Sequence, residues 1–515
     1  MARSKTPSFV TELPLKVDSK QERELLARFQ AARQLYNACL NEALVRMELV
    51  KNSVLYQQTK RSRGGSKKER QDLFAKAREQ YRFNDYAFKT FATQTANRSK
   101  WMSDKLGAHE KQTIGTRAFK AVEKILFRRS KKVRFKVTTR FKSIEGQSNA
   151  TGIRFINNQV LWKKLVIKPI INWNNPVLVH GLNLPVKYCR ILWRNLNGKK
   201  RWFVQLINEG LPYQNPQNYV AQGIVGLDVN ISNVAFVADN KAGLLPFAHK
   251  VPTYEREIKA LQRKMQRSQR LHNPDNFEPD FDKKIGNRIV RKKGKVKKGK
   301  KQWIKTRNYR RTQAKKAELE RRKASYAKSQ NRKLVNEILR HGNKIKTEKV
   351  SIKGWQKRYG KAICAKSPGF FQSELKRKVV RGASRASKNT GGYFLTFSTQ
   401  TTALSQTHID GTRIKKKLSE RVHKDVTGIV MHRDLFSAYL ARCVYNDKLS
   451  LWDAQFEYPG TEPFLLDGWK QYQQSANRVR ESESRSSYSS SEQMSNEVLT
   501  SDQIAVKGDK LEGNA

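Results

Sequence analysis

The sequence is poor in acidic residues. It carries 44 Asp and Glu against 105 Lys and Arg, a formal net charge of +61 over 515 residues. Self-repulsion at this charge opposes a compact state unless a polyanion neutralises it. Because the cations are spread along nearly the whole chain, we expect a large, enveloping partner such as a folded RNA or a nucleic-acid duplex. The alternative is a basic ribosomal-type or chromatin protein. The length and composition argue against this alternative, because a chain of this size with 37% hydrophobic residues and nine Trp can form several packed cores.

Cysteine is scarce as well. The four cysteines, Cys39, Cys189, Cys364 and Cys443, lie far apart, and no CxxC pair occurs. This spacing excludes a disulfide framework and a cysteine-based zinc site, and it suits a reducing compartment. The sequence also lacks an apolar run of 18 or more residues and an N-terminal targeting signal. We therefore expect a soluble intracellular protein without a membrane partner.

Residues 20–150 have a helical pattern. Ser19-Lys-Gln-Glu22 predicts a capping box. From Leu25 to Met47, apolar residues recur at three- and four-residue spacing, which predicts an amphipathic helix. Further helices are predicted over 68–82 and 115–129, with a loop over 61–66.

Strand patterns replace the helical ones over residues 151–222. Val160–Ile167 is one predicted strand, and the strands around Asn197-Gly198 are a predicted hairpin because both turn residues tolerate a positive φ. Together with an initial strand near Phe9–Val17, they predict a β-barrel that the helical region interrupts.

A third block begins at Gly223. Ile224–Asp228 is a predicted buried strand and Val234–Val237 a returning strand; charged helices are predicted over 254–270 and 310–340. Arg291–Lys301 holds eight cations in eleven residues. Such a run predicts a flexible solvated loop, or the same loop in contact with phosphates. The Ser/Glu-rich tail from about residue 475 is a predicted disordered segment.

Three carboxylates are candidate site residues. Asp228 ends a buried strand, where an unpaired charge is costly and a metal ion would compensate it; alternatively, it starts an Asn-rich turn. Glu348 follows a short predicted strand, and its alternative is an exposed edge position. Asp434 stands where a helix begins, and its alternative is N-capping.

The order of these carboxylates resembles the RNase H/RuvC fold. One lies on a first strand, one after a later strand and one at a late helix. In that fold the three converge on two divalent cations, and hard oxygen ligands suit Mg²⁺ or Mn²⁺. Two such ions activate a water and stabilise the leaving 3′ oxygen of a phosphodiester.

The motifs in order also resemble the transposon-encoded TnpB nucleases and the compact type V CRISPR effectors, over roughly residues 10–445. The nuclease motifs that carry the resemblance are Gly226-Leu-Asp228, Thr347-Glu348-Lys-Val-Ser-Ile352 and Arg433-Asp434-Leu-Phe-Ser-Ala438. The other matching segments are Leu35-Tyr36-Asn37, Phe127-Arg-Arg129, Arg134-Phe135-Lys136, Leu261–Arg267, Asn331-Arg332 and Phe371–Lys378.

This resemblance implies an α+β multidomain protein: a β-barrel (wedge) with an inserted helical recognition domain, followed by an RNase H-like RuvC nuclease domain with helical insertions. The implied segments are a wedge over 1–19 and 151–222, recognition helices over 20–150, nuclease motifs I and II over 223–398, a degenerate zinc-ribbon-like insert over 399–430, motif III over 431–455 and a C-terminal segment over 456–515.

The sequence departs from the family between motifs II and III. The family carries two CxxC pairs there, whereas this chain has Thr402–His408 and Arg421–Gly428 without a cysteine. His408 and His423 are possible ligands. Two histidines without cysteine thiolates rarely complete a structural zinc site, so we expect no zinc. Lys349 replaces a common acidic residue, and Ser437 stands where Asn is frequent.

The function implied by the resemblance is an RNA-guided DNA endonuclease of the prokaryotic cytoplasm. Its catalytic and metal residues would be Asp228, Glu348 and Asp434 with two Mg²⁺ or Mn²⁺ ions, and its partners a guide RNA and double-stranded target DNA. The basic residues expected to contact nucleic acid are Arg134, Lys136, Arg263, Arg267, Lys292, Lys293, Lys297, Lys298 and Arg332. A guide-dependent DNA-binding protein that does not cut, and a plain RNA-binding protein, are the alternatives.

Overall fold

The computed structural model describes residues 6–475 and 477, except 63, 250, 252, 253, 300, 384–390 and 418. The chain divides into two compact units, residues 1–214 and 215–515. The tail with predicted disorder lies almost wholly outside the described residues. Of the helices in the described part, none combines the length and the apolar character that a membrane crossing requires.

The first unit combines helices with an antiparallel sheet. Its elements are β1 (Ser8–Lys16), α1 (Ser19–Asn52), α2 (Val54–Arg61), α3 (Lys67–Gln80), α4 (Asp85–Asn97), α5 (Lys100–Lys105), α6 (Ala108–Leu126), β2 (Ser143–Glu145), β3 (Ile153–Ile156), β4 (Gln159–Trp162), β5 (Leu165–Pro169), α7 (Pro176–Leu182), β6 (Val186–Leu196) and β7 (Lys199–Glu209).

Helix α1 buries the apolar stripe that the periodicity predicts, with Leu25, Phe29, Leu40 and Met47 inside. The predicted capping box is wrong by one residue. Asp18 is the N-cap, and it exchanges hydrogen bonds with the backbone and side chain of Gln21.

The seven strands of this unit form a sheet in the order β2-β6-β7-β1-β5-β4-β3, and no closed barrel forms among the described residues. The predicted β-barrel is therefore wrong: the edge strands β2 and β3 pair with β6 and β4, and not with each other. The predicted strand Val160–Ile167 is in fact two strands, because Lys163 adopts a positive φ of 52° and turns the chain between β4 and β5. The predicted hairpin at Asn197-Gly198 is confirmed, with φ of 49° and 76° at these residues.

The second unit contains the remaining elements. They are β8 (Ile224–Val229), β9 (Asn233–Val237), β10 (Ala242–Pro246), α8 (Glu255–His272), β11 (Phe281–Ile285), β12 (Arg288–Lys292), α9 (Arg307–Leu339), β13 (Lys344–Glu348), α10 (Ile352–Lys366), α11 (Pro368–Ala383), β14 (Tyr393–Phe397), α12 (Thr399–Thr402), β15 (Val422–Lys424), β16 (Val430–His432), α13 (Arg433–Arg442), β17 (Val444–Tyr445), β18 (Lys448–Leu449) and α14 (451–475).

A mixed five-stranded sheet with the order β10-β9-β8-β13-β14 organises this unit. β10, β9 and β8 are antiparallel neighbours, whereas β8, β13 and β14 run parallel. Val225 and Leu227 of β8 belong to a core that includes Val335 of α9 and Phe371 of α11. On the opposite face, Ala235 of β9 belongs to a core with α13 and α14. Alternate residues of the central strands therefore contact different helices.

Candidate metal centre and nucleic-acid-binding surface

Helix α13 lies directly against strand β8 at Gly226. A Cβ atom at Gly226 would lie 2.0 Å from the carbonyl oxygen of Ala438 and 2.8 Å from the backbone nitrogen of Arg442. Because real Cβ atoms do not approach backbone this closely, only glycine permits the contact. The glycine of the Gly-Leu-Asp motif therefore sets how near the helix comes to the sheet.

This contact makes Asp228 and Asp434 face each other. Side chains two residues apart in a strand lie on the same face, so Asp228 shares the face of Gly226. Residues four apart in a helix also share a face, so Asp434 lies on the side of α13 that presents Ala438 to the strand. Asp434 is only 3% exposed, which is rare for a carboxylate without compensation.

Glu348 reaches the same face from the neighbouring strand. In the parallel pair β8–β13, Lys346 is the register partner of Gly226, and Glu348 lies two residues further along β13. The Lys346 Nζ atom donates a 2.5 Å hydrogen bond to the carbonyl oxygen of Arg442, so this side of β13 also faces α13. Two strands and one helix thus bring the three predicted carboxylates together.

The electrostatics of the cluster reflect this proximity. Burial raises the pKa of Asp228 well above its usual value, and the negative charges of Asp434 and Glu348 raise it further. The positive charge of Arg433 and the neighbouring side chain of Asn230 act in the opposite direction but do not offset the increase. Burial also raises the pKa of Glu348. Ionised carboxylates this close require cations for compensation.

Asp434 has basic neighbours but does not cap its helix. Its carboxylate lies 3.6 Å from the Arg433 Nε atom and 3.6 Å from the Arg421 Nη1 atom. The N-cap is His432, whose Nδ1 atom accepts a 3.2 Å hydrogen bond from the backbone N–H of Asp434. The capping interpretation of Asp434 is therefore wrong. Arg421 is a site neighbour that the sequence analysis missed, since it enters the site only through a tertiary contact.

The donor set fits hard divalent ions. Asp228, Glu348 and Asp434 offer only carboxylate oxygens, which Mg²⁺ and Mn²⁺ prefer over nitrogen or sulfur. Asp228 and Glu348 remain partly exposed, so the cluster is not closed off from solvent.

The predicted nucleic-acid contacts of the second unit lie largely on an exposed surface. Arg263 and Arg267 are exposed on α8. Lys292 ends strand β12, and Lys293, Lys297 and Lys298 follow it; all four lysines are exposed. The cationic run is therefore not loop throughout, because its first residues belong to the hairpin β11–β12, in which every residue is exposed.

The base of this hairpin is held in place by α8. Arg270 donates a 2.7 Å hydrogen bond from Nη2 to the carbonyl oxygen of Gly294, and its guanidinium lies 4.4 Å from the ring centroid of Phe277. The backbone N–H of Gly294 donates to Asp280 at 2.8 Å. These contacts fix the base of the hairpin, from which the exposed lysines extend into solvent.

The remaining predicted contacts differ in their surroundings. Arg332 lies 3.6 Å from the Glu374 carboxylate and 5.3 Å from the ring centroid of Phe370. In the first unit, Arg134 is exposed, and the backbone of Lys136 exchanges hydrogen bonds of 2.8 and 3.0 Å with the side chain of Asn37. Two segments that carry the family resemblance are thereby joined.

Replacing Lys292, Lys293, Lys297 and Lys298 together by Gln should weaken nucleic-acid binding and reduce its salt dependence. Each lost phosphate contact removes about 0.7–0.9 from the slope of log affinity against log salt. We expect an unchanged melting temperature because all four side chains are exposed. Filter binding of a structured RNA at several salt concentrations measures the slope. The matched control is the fourfold Lys→Arg variant, which keeps the charge. A wild-type slope in the Gln variant would remove these lysines from the interface.

Comparison with known proteins gives distant structural likenesses. No protein-family model matches the sequence, and no curated protein matches it. Among solved structures, a Cas12f1–sgRNA–target DNA complex is 10% identical with a TM-score of 0.39, covering 85% of this chain and 98% of that chain. A CRISPR-Cas12f ternary complex is also 10% identical, with a TM-score of 0.27, covering 84% of this chain and 82% of the other. Because these TM-scores are low, a function for this chain has to be inferred from its own geometry.

Proposed function

We propose that this protein is an RNA-guided DNA endonuclease that hydrolyses phosphodiester bonds in DNA complementary to its guide. The observation that carries the proposal is the convergence of Asp228, Glu348 and Asp434 on one face between β8, β13 and α13. The mixed sheet, with α13 across its central strand, supports an RNase H-like RuvC nuclease domain.

The three carboxylates would hold two divalent cations, Mg²⁺ or Mn²⁺. When bound, such a pair would supply an activated water and would stabilise the leaving oxygen. Asp228 lies on the central strand β8 and feels the charges of both other acids, so it would hold the ions together with Glu348 and Asp434. Without ions, Arg433 and Arg421 partly neutralise Asp434.

The charge of the chain supports the nucleic-acid partners. A net charge of +61 suits a guide RNA and a guide–target duplex, because Lys and Arg bind phosphates without reading sequence. In such a complex, base pairing with the guide selects the target, and the protein contacts the shape of the heteroduplex. We place this activity in the prokaryotic cytoplasm, close to the nucleoid.

A guide-dependent binding protein that does not cut is the second candidate. It is favoured by the absence of the CxxC pairs that the related nucleases carry between motifs II and III. Loss of that element would impair delivery of the target strand to the carboxylates while leaving guide binding intact.

A programmed cleavage assay tests the proposal. Small RNAs that co-purify with the protein are sequenced, and a plasmid library carrying the matching sequence beside randomised flanks is incubated with the complex. We expect cleavage of matched plasmids in Mg²⁺ or Mn²⁺ and none in a chelator. Matched binding without cleavage in either ion would favour the second candidate. If only sequence-independent RNA binding is found, both candidates are wrong.

A further inference from the structure

The segment between β14 and β16 buries three side chains with metal-binding atoms. His408 and His423 are each 1% exposed, and Asp425 is also buried. One donor atom from each of them lies within 4.8 Å of the others. Asp425 Oδ2 lies 3.1 Å from His408 Nδ1 and 2.9 Å from His423 Nε2. The three residues come from the loop before β15, from β15 itself and from the turn after it.

Hydrogen bonds hold the Asp425 carboxylate in place beside the two imidazoles. Its Oδ1 atom accepts from the backbone N–H of Thr427 at 3.1 Å and from the Thr427 hydroxyl at 2.8 Å. Its Oδ2 atom accepts from the backbone N–H of Ile409 at 3.1 Å and is the oxygen that lies near both rings.

His408 is not satisfied in either neutral tautomer. If Nδ1 carries the proton and donates to Asp425, it cannot accept the 3.2 Å hydrogen bond from the backbone N–H of Val426. If Nδ1 is unprotonated and accepts that bond, its lone pair faces the Asp425 carboxylate. In both tautomers the buried Nε2 atom has no hydrogen-bond partner. In the second tautomer two acceptors, Nδ1 and the carboxylate, face each other at 3.1 Å, a contact that a cation between them would make favourable.

We propose that His408, His423 and Asp425 form a binding site for a divalent transition-metal ion, Zn²⁺ in preference to Mg²⁺. Two imidazoles and one carboxylate are a donor set that binds zinc, with a water completing the coordination, whereas magnesium prefers oxygen ligands alone. The prediction of no zinc was based on the two histidines alone and did not include Asp425. Asp425 follows His423 by two residues, and the loop before β15 brings His408 to both of them.

The role of this ion would be structural. The His423 ring stacks on Phe436 of α13 with 4.1 Å between the centroids and 18° between the planes. An ion shared by His408, His423 and Asp425 would therefore tie the loop and the β15–β16 hairpin to the helix that carries Asp434. The site is distinct from the carboxylate cluster, and its existence does not depend on the nuclease activity.

One neighbouring cation opposes the ion. The Lys416 Nζ atom lies in hydrogen-bond contact with His423 Nδ1. When Nε2 binds a metal, Nδ1 of the neutral ring carries a proton and becomes a donor, so Lys416 must turn away. The structure thus predicts that removing this lysine strengthens metal binding.

The test measures Zn²⁺ binding by the full-length chain after nucleic acid is stripped at high salt and metals are removed with a chelator. Every variant carries Asp228→Ala, so that the carboxylate cluster contributes little. We expect about one Zn²⁺ per chain and a visible Co²⁺ spectrum after substitution. Adding His408→Ala or Asp425→Asn should weaken Zn²⁺ binding by about 100-fold, and Lys416→Met should strengthen it by about 10-fold.

The matched control is His272→Ala, which removes an exposed histidine of α8 and should leave the affinity unchanged. Equal Zn²⁺ affinity in the parent, His408→Ala and Asp425→Asn chains would overturn the proposal. Near-UV circular dichroism in chelator shows whether the ligand variants fold. If the ligand variants do not fold, the Lys416→Met variant provides the test, because it keeps all three ligands. An unchanged Zn²⁺ affinity in that variant would also overturn the proposal.

Discussion

Asp228→Ala should abolish divalent-dependent cleavage of guide-matched DNA, with a loss of about 10⁴-fold or more, while guide and target binding remain. The negative charges of Asp434 and Glu348 both act on this carboxylate and raise its pKa. Removing one of the three carboxylates that would hold the ions should leave them poorly bound and the water unactivated. Glu348→Ala and Asp434→Ala should give similar losses, and the double variants little more, because residues that act as a unit are not additive.

The same substitution should not destabilise the metal-free protein. Burial and like charges disfavour the ionised form of Asp228, so its removal relieves repulsion in the absence of ions. We expect an equal or higher melting temperature for Asp228→Ala in chelator. Cleavage rate and melting temperature are measured on each variant, with Asp467→Ala on the exposed face of α14 as the matched carboxylate control. Full cleavage by any of the three single variants would exclude that residue from the site.

Gly226→Ala should damage both the fold and the activity. The added methyl group would lie 2.0 Å from the Ala438 carbonyl oxygen, and neither backbone can yield without moving α13 from the sheet. Overpacking of this kind costs about 1–3 kcal/mol and sometimes more. Because α13 carries Asp434, we expect a lower melting temperature together with lost cleavage, whereas Asp228→Ala loses cleavage alone.

Gly360→Ala is the matched control for this prediction. Gly360 lies within α10, and a Cβ atom there would meet nothing within 4 Å. Gly360 directly follows Tyr359, where α10 is kinked, so we expect alanine there to change the free energy of unfolding by no more than about 0.5 kcal/mol. Chemical denaturation and the plasmid assay measure both variants. A wild-type melting temperature for Gly226→Ala would show that α13 does not pack on β8 as the structure has it.

Several elements follow from local sequence alone. The stripe of α1, the turn at Asn197-Gly198 and the strand that ends near Asp228 depend on periodicity and on backbone preferences within a few residues. These elements can be predicted because the interactions that form them act between residues that are close in the sequence.

Other features escaped the sequence because they depend on partners distant in the chain. The edge strands β2 and β3 pair with other strands, so the expected barrel is an open sheet among the described residues. The hairpin β11–β12 has no buried face, so its sequence shows no alternation of apolar and polar residues. Its charged residues therefore predict a loop and not strands.

The candidate sites divide in the same way. The sequence determined which carboxylates were available, their order and the charge that calls for nucleic acid. Only the tertiary structure decided that Asp228, Glu348 and Asp434 share one face, because that depends on strand register and on the backbone contact at Gly226. It also decided that His408 meets His423 and Asp425, since residues 15 and 17 positions apart meet only when the loop before β15 packs against that strand.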